Sequence, residues 1–253
     1  MEPTSHAFKD QARHALGNPN LQAALGILKR DFPSRRGAAV ARLPEFDRLR
    51  DEGRDIKNPV LDHLDLYLET FEKNVTALGG NVHWAADAAE ARDQILAICL
   101  AAGARTVTKG KSMISEEIAL NDHLQKNGIE PVEPDLGEYI IQLRHETPSH
   151  IIGPAIHLVK EQVAETFRDA HTHLDAARPL SEPRQLCDEA RALLRPKFLA
   201  ADVGITGANF LVAETGSSII VTNEGNGDLT QNLTRVHIVI ARIEKIVPTL
   251  EDA

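Results

Sequence analysis

The sequence predicts an α/β protein in which an N-terminal helical region, residues 1–80, precedes a domain with a mostly parallel β-sheet, residues 81–253. Two observations predict this class. Helix signals, with proline at the start and glycine at the end, fill the first eighty residues, and short β-rich runs alternate with helices from Asn81 onward. The 253 residues, 42% of them hydrophobic, are enough to bury a core.

The N-terminal region carries three helix signals. Asn18 and Asn58 each precede a proline, a pattern typical of an N-cap followed by the first helical residue. The segment Pro44–Arg50 is expected to be a short charged helix. From Pro59 to Leu78 apolar residues recur every three or four positions, and Gly79-Gly80 ends that helix. One face of it is therefore predicted to pack on another element.

From Asn81 the pattern alternates between strands and helices. Asp87 is predicted to cap a helix, with Glu90 completing a capping box and Gly103 ending it. The predicted strands are Val82–Trp84, Arg105–Thr108, Ile129–Val132, Ser149–Gly153, Phe210–Ala213, Ser218–Thr222 and Val236–Ala241. The other predicted helices are Ser115–Lys126, Leu136–Leu143, His157–Leu174 and one capped by Ser181. Such alternation implies a parallel sheet covered by helices, whose ligands bind at the carboxyl ends of strands.

Charge and composition exclude some function classes. The net charge of −9 and pI near 5.7 disfavour nucleic-acid binding. No apolar run reaches membrane-spanning length and the N-terminus lacks a secretory signal, so we expect a cytoplasmic protein without a membrane span. Cys99 and Cys187, both in predicted helices, are expected to be buried or half-buried, and they are too few for a four-cysteine cluster.

A lysine-rich turn follows the strand that ends near Thr108. Lys109, Lys111, Ser112 and Ser115 are predicted to bind a small carboxylate or phosphate, because a helix start offers unpaired N–H groups and the lysines add positive charge. The alternative interpretation is a solvated turn in which Ser115 is only an N-cap.

A second polar segment lies at the next junction between a strand and a helix. Asp135, Glu138 and Gln142 are candidate binding residues there, with Glu138 or His150 as a candidate general base. The alternative is an ordinary acidic helix start capped by Asp135. His150 and His157 could face one site, but their spacing nominates no further ligands, so no metal is expected.

Glycine-bearing polar turns make up a third group. Its candidate binding residues are Thr206, Asn209, Glu214, Thr215, Gly216 and Asn223. Their small side chains and backbone amides allow a ligand to approach closely. The alternatives are simple turns at Gly207 and Gly225 and a buried hydrogen-bonding role for Glu214. Since these turns and the two segments above flank predicted strands, we expect all of them to converge at the carboxyl edge of the sheet. His171 and His173 are expected at the surface.

Four long segments together resemble the lactate utilization protein B family. They are Lys109–Asn121, Glu133–Leu143, Pro148–His157 and the stretch from Gly204 through Leu229. The resemblance spans nearly the whole chain. It implies a lactate-utilization domain with a Rossmann-like sheet, similar to the sugar-phosphate isomerase and CoA-transferase superfamily, that takes part in oxidation of L-lactate to pyruvate.

The resemblance also implies cofactors and partners. Family members continue into a ferredoxin-like segment that holds two [4Fe-4S] clusters, and they act with companion lactate-utilization proteins. We therefore expect an oxidoreductase component that, in a chain ending at Ala253, holds no cofactor and does not oxidise lactate alone. A homo-oligomer is compatible with the sequence. Two alternatives remain: a non-catalytic scaffold for the partners, and group transfer with Glu224 as a carboxylate nucleophile.

Overall fold

The computed structural model describes residues 5–149 and 153–253 and has an α/β fold with a parallel four-stranded sheet. The helices are α1 (Phe8–Gly17), α2 (Pro19–Ala41), α3 (Phe46–Asp62), α4 (Leu64–Ala77), α5 (Ala88–Ala101), α6 (Met113–Glu117), α7 (Leu120–Lys126), α8 (Leu136–Arg144), α9 (Lys160–Ala170), α10 (Pro183–Ala200) and α11 (Asn226–Asn232). The strands are β1 (Thr106–Gly110), β2 (Glu130–Val132), β3 (Val203–Gly207), β4 (Phe210–Val212), β5 (Ser217–Ile219), β6 (Val236–Ile240) and β7 (Ile246–Val247). No helix within these described ranges is both long enough and apolar enough to cross a membrane.

The chain divides into two compact units. Unit 1 comprises the described parts of residues 1–42 and 133–199, and unit 2 comprises residues 43–132 and 200–253. The boundary that the sequence suggests at residues 80/81 lies inside unit 2. The reason is that α3 and α4 pack on β4 and β7, where Val60, Phe71, Leu211 and Ile246 form one buried apolar cluster.

Unit 2 contains both sheets. The larger sheet has the strand order β2-β1-β3-β6, and all its neighbours are parallel. Its core includes Val107, Val203 and Ile205, each with no exposed surface. A smaller sheet, β5-β4-β7, is antiparallel between β4 and β5 and parallel between β4 and β7. In the larger sheet β1 is the first strand in sequence, and β2 lies on one side of it and β3 on the other. The strand order therefore reverses between β1 and β3.

Unit 1 is helical. Its centre is an aromatic contact in which Phe167 of α9 lies against Tyr139 of α8 and His171, with ring centroids 6.2 Å and 4.8 Å apart respectively. His171 is buried, not at the surface as predicted, because it ends α9 and bonds to Glu189 of α10 at 2.7 Å. His173 is exposed, as expected.

The helical signals before residue 80 were only partly correct. Asn18 caps α2, which begins at Pro19, as predicted. Asn58-Pro59 does not start a helix: α3 begins at Phe46, continues past the expected end at Arg50, and ends at Asp62. Pro59 therefore lies inside α3, three residues before its end. The prediction that Gly79 ends the next helix is confirmed by its left-handed φ of 85°.

The predicted strand Val82–Trp84 is wrong. This segment has no strand; the Trp84 indole N–H donates to Glu72 at 3.1 Å and its carbonyl accepts from Gln94 at 2.7 Å. These bonds join it to α4 and α5 instead of to a strand. The helix predicted for His157–Leu174 is shorter, Lys160–Ala170. The strand predicted for Ser149–Gly153 falls mostly on residues 150–152, outside the described ranges.

Candidate functional site

The chain turns sharply where β1 ends. Lys111 has a left-handed backbone with φ of 57°, which costs a residue bearing a Cβ about 1 kcal/mol. Ser112 then caps α6, its side chain accepting a hydrogen bond from the backbone N–H of Ser115 at 3.2 Å. The prediction of Ser115 as N-cap is wrong, because the turn at Lys111 starts the helix earlier. A second left-handed residue, Ala119, divides the predicted Ser115–Lys126 helix into α6 and α7.

The two lysines of this turn have different environments. The side chain of Lys109 is 1% exposed, and its Nζ donates to Ser115 Oγ at 3.0 Å. Ser115 Oγ in turn donates to the carbonyl of Ser112 at 2.6 Å. Lys109 therefore links β1 to α6, whereas Lys111, with 21% of its side chain exposed, is the lysine that solvent and a ligand can reach.

Lys111 meets two of the predicted site residues. Its Nζ donates to Asn223 Oδ1 at 3.2 Å and lies 3.8 Å from Glu224 Oε2. Asn226, buried at the start of α11, donates from Nδ2 to the same Glu224 oxygen at 3.0 Å. An ammonium, an amide and an oriented carboxylate thus lie together at the carboxyl end of β1. We call Lys111, Asn223 and Glu224 the Lys111 cluster.

The end of β3 packs directly against the backbone of the Lys111 turn. A Cβ at Gly207 would lie 2.4 Å from the Lys111 carbonyl oxygen, so only glycine lets the Lys111 turn pass this close. Gly110 and Thr206 are neighbours in register, and the strand order reverses between their strands. Such a reversal is where open α/β sheets bind ligands.

Thr206 itself is structural. It is 1% exposed, and its Oγ1 shares a hydrogen bond of 2.9 Å with Nε2 of His237 on β6. Burial lowers the pKa of His237 and favours a neutral imidazole near pH 7. His237 and Asn226 are not among the predicted site residues. The acidic and amide residues of Asn223–Asn226 are the signal that could have identified Asn226.

The turn between β4 and β5 is placed elsewhere in unit 2. A Cβ at Gly216 would lie 2.6 Å from the backbone nitrogen of Val75 in α4, and the Glu214 carboxylate accepts from the Leu250 N–H at 3.4 Å. Thr215 Oγ1 accepts from Ser217 within the turn. These residues therefore serve the packing of the turn. Glu214 is exposed, so the buried role considered for it is wrong.

Asn209 is also a turn residue, since its side chain accepts from the Val221 N–H at 2.8 Å. In unit 1 Asp135 caps α8 through the Gly137 N–H at 3.0 Å, which confirms the predicted helix start. Glu138 is buried in the first turn of α8, and Gln142 Oε1 accepts from the Glu133 N–H at 3.2 Å. Their convergence with the Lys111 cluster stays a prediction. His150, the candidate base, lies outside the described residues.

The cysteines do not fit an iron–sulfur cluster. The sequence has two, one in each unit. Cys99 has no exposed surface, and burial raises the pKa of its thiol to about 11, so it is a protonated core residue. A [4Fe-4S] cluster requires four thiolate ligands. No step of the function is therefore assigned to such a cluster within these residues.

Comparison with known proteins identifies the family. The model of the LUD domain family matches residues 68–253. Lactate utilization protein B of Bacillus subtilis is 40% identical over 255 residues, and that of Bacillus velezensis is 39% identical over 253 residues. Each alignment covers 100% of this chain and 52% of the relative, so the chain spans about half the length of these relatives. No solved structure matches significantly. The chain belongs to the LUD domain family.

Proposed function

We propose that this protein binds L-lactate or a similar small carboxylate at the Lys111 cluster, as one component of a lactate-utilization system. The observation that carries the proposal is the position of the Lys111 ammonium, 3.2 Å from Asn223 Oδ1 and 3.8 Å from Glu224 Oε2, where the strand order of the sheet reverses. The names of the relatives supply the substrate class, lactate.

The cluster offers groups that match an α-hydroxy acid. A carboxylate pairs with the Lys111 ammonium, and the neighbouring hydroxyl donates to the carboxylate of Glu224. Because 47% of the Glu224 side chain is exposed, its existing ion pair with Lys111 is weak, and a substrate carboxylate can replace it beside the ammonium. Asn226 holds Glu224 Oε2 in place during this exchange.

The finer proposal concerns the reaction. Oxidation of L-lactate to pyruvate removes two electrons and two protons, and the cysteines of this chain do not supply an iron–sulfur acceptor. We therefore assign to these residues the binding and orientation of lactate within an oxidoreductase that includes companion lactate-utilization proteins in the cytoplasm. The isolated chain is expected not to oxidise lactate.

Calorimetric titration of the purified chain with L-lactate tests this proposal. Lys111→Ala is expected to weaken binding about tenfold or more, because a hydrogen bond to a charged group contributes about 1.5–3 kcal/mol. The matched control is Lys126→Ala: Lys126 is exposed at the end of α7, which leads into the amino end of β2, and its loss should leave affinity unchanged. Equal affinities for wild type and Lys111→Ala would contradict the proposal and favour the scaffold alternative.

The group-transfer alternative rests on the same Glu224 carboxylate, half exposed and hydrogen-bonded by Asn226. A carboxylate nucleophile would form a covalent acyl intermediate. Incubation with acetyl-CoA followed by hydroxylamine trapping and mass spectrometry would detect it. A hydroxamate at Glu224 would make group transfer the better assignment, whereas its absence together with lactate binding supports the carboxylate-binding function.

A further inference from the structure

Unit 1 contains a cleft that several polar side chains line and that shares no residue with the Lys111 cluster. Its volume is about 330 Å³, enough for a small organic molecule. The start of α2 forms one wall, and the end of α8 with the segment leading into α9 forms the other. The residues that matter for its chemistry are Asn18, Arg144, Glu146, Ser149, His157 and Gln162.

Three of these side chains form a hydrogen-bonded chain. Ser149 Oγ lies 2.8 Å from His157 Nδ1, and His157 Nε2 lies 3.2 Å from Glu146 Oε2. The order hydroxyl, imidazole, carboxylate is the arrangement that activates a serine nucleophile, with a base beside the hydroxyl and an anion that orients the base. Here the two ring nitrogens are exchanged relative to the serine proteases, but either nitrogen can take a proton.

The fourth side chain, Arg144, determines the protonation states of Glu146 and His157. Arg144 donates to Glu146 from Nε at 2.9 Å and approaches it from Nη2 at 2.7 Å, while its Nη1 donates to Thr166. The hydrogen bond from Arg144 is the largest cause of a lowered pKa of Glu146, which is therefore a carboxylate at neutral pH. A carboxylate at Nε2 selects the tautomer with the proton there and leaves the Nδ1 lone pair facing Ser149.

Two amides complete the cleft. The oxygen of Asn18 accepts from the Leu21 N–H at 3.1 Å, and the oxygen of Gln162 accepts from the Val159 N–H at 3.2 Å. Because both oxygens are occupied by backbone donors, each residue offers its NH₂ group to other partners. Such donors stabilise the negative oxygen that develops when a nucleophile attacks a carbonyl.

We propose that Ser149 is a nucleophile, with His157 as its general base, that accepts the acyl group of small activated esters. Ser149 Oγ attacks the carbonyl carbon, its proton passes to His157 Nδ1, and the bond to the leaving alcohol breaks as that proton moves to the alcohol oxygen. Water, deprotonated by His157, then releases the acid and restores Ser149. The net reaction is ester plus water to acid plus alcohol, and it needs no oxidant or cofactor.

This activity is separate from lactate binding, since none of its residues belongs to the Lys111 cluster. The first test replaces the hydroxyl by a thiol. At pH 7 Ser149→Cys is expected to react with iodoacetamide at least about tenfold faster than Ser181→Cys, because a neighbouring imidazole activates a thiol. Ser181 is an exposed serine of the same unit and is the matched control. Mass spectrometry separates the labelled site from Cys99 and Cys187.

Adding His157→Gln to Ser149→Cys should return the rate to that of the control, and circular dichroism checks that each variant is folded. Equal alkylation rates for Ser149→Cys and Ser181→Cys would overturn the proposal. The second test uses the unaltered chain with p-nitrophenyl acetate. Acetylation found at Ser149, and reduced about 10²-fold or more by His157→Gln, supports the proposal. Acetylation only at lysines, at a rate unchanged in Ser149→Ala, would refute it.

Discussion

Two charged clusters, one in each unit, use similar side chains in opposite environments. In unit 1 Glu189 accepts from His171 at 2.7 Å and from Arg178 Nε at 2.6 Å, and the His171 and Glu189 side chains are only 4% and 8% exposed. In unit 2 the ion pair between Lys111 and Glu224 is longer and far more exposed. A buried charge must keep its protein partners, whereas a half-exposed one can exchange its partner for a ligand. The first cluster is therefore structural and the second is suited to binding.

The largest loss of stability is expected from a substitution that breaks the buried cluster of Glu189, His171 and Arg178. Glu189→Gln leaves Arg178 and His171 without their carboxylate, and we expect a loss of about 3 kcal/mol in the free energy of unfolding. Urea denaturation measures it without screening charges. The matched control is Glu165→Gln on α9, an exposed residue whose replacement should change stability by less than about 0.5 kcal/mol. Equal losses for both variants would mean that the buried cluster is not structural.

The contribution of Glu189 to stability should also depend on pH. Burial raises the pKa of Glu189, but hydrogen bonds and charge from Arg178 and His171 outweigh it and leave the pKa below the ordinary 4.5. A lowered pKa stabilises the fold above the unfolded value, and this stabilisation is lost as pH falls through the folded value. The contribution of Glu189 to stability should therefore be fully present just above pH 4.5 and shrink as pH falls below it. A stability difference between wild type and Glu189→Gln that grows as pH falls below 4.5 would contradict this assignment.

The next effect concerns the backbone beneath the Lys111 cluster. Gly207→Ala places a methyl group 2.4 Å from the Lys111 carbonyl oxygen, and we expect about 2 kcal/mol of destabilisation together with weaker lactate binding. Gly53→Ala is the control, because a Cβ there meets nothing within 4 Å in α3 and should stabilise the helix by about 0.5–1 kcal/mol. Thermal melts and lactate titrations measure both. If Gly207→Ala lowers stability but leaves the affinity for lactate unchanged, the conformation of the Lys111 turn is not required for lactate binding.

Local signals in the sequence were sufficient where a side chain bonds to its own segment. Asp87 accepts from the N–H groups of Ala89 and Glu90, and α5 begins where the pattern predicted. The same holds for Asp135 and α8. In these cases the sequence carries both the donor and the acceptor within three residues, so no tertiary information is required.

The sequence does not predict the structure where contacts between residues distant in the chain determine it. The glycines around Thr206 predict a turn, yet Val203–Gly207 forms the strand β3, and all five residues are buried between β1 and β6. Its glycines are there because other backbone passes close, as a Cβ at Gly204 would lie 2.0 Å from the Thr230 carbonyl. The helix α11 is not predicted either, because Gly225, which has a left-handed φ of 75° just before it, indicates a simple turn. The meeting of Lys111 with Asn223 spans 112 positions, and sequence alone indicated only that both follow strands.

The smallest expected effect distinguishes the roles of Glu224 itself. Glu224→Gln removes the carboxylate that competes for Lys111, so acetate should bind about two- to fivefold more tightly, the range of an exposed ion pair. L-lactate should gain less than acetate, because an amide accepts the lactate hydroxyl less strongly than a carboxylate does. The ratio of lactate to acetate affinity should therefore fall, and paired calorimetric titrations measure it. If both ligands gain equally, Glu224 repels anions without recognising the hydroxyl. If both bind more weakly, the carboxylate of Glu224 orients Lys111 instead of competing with the substrate.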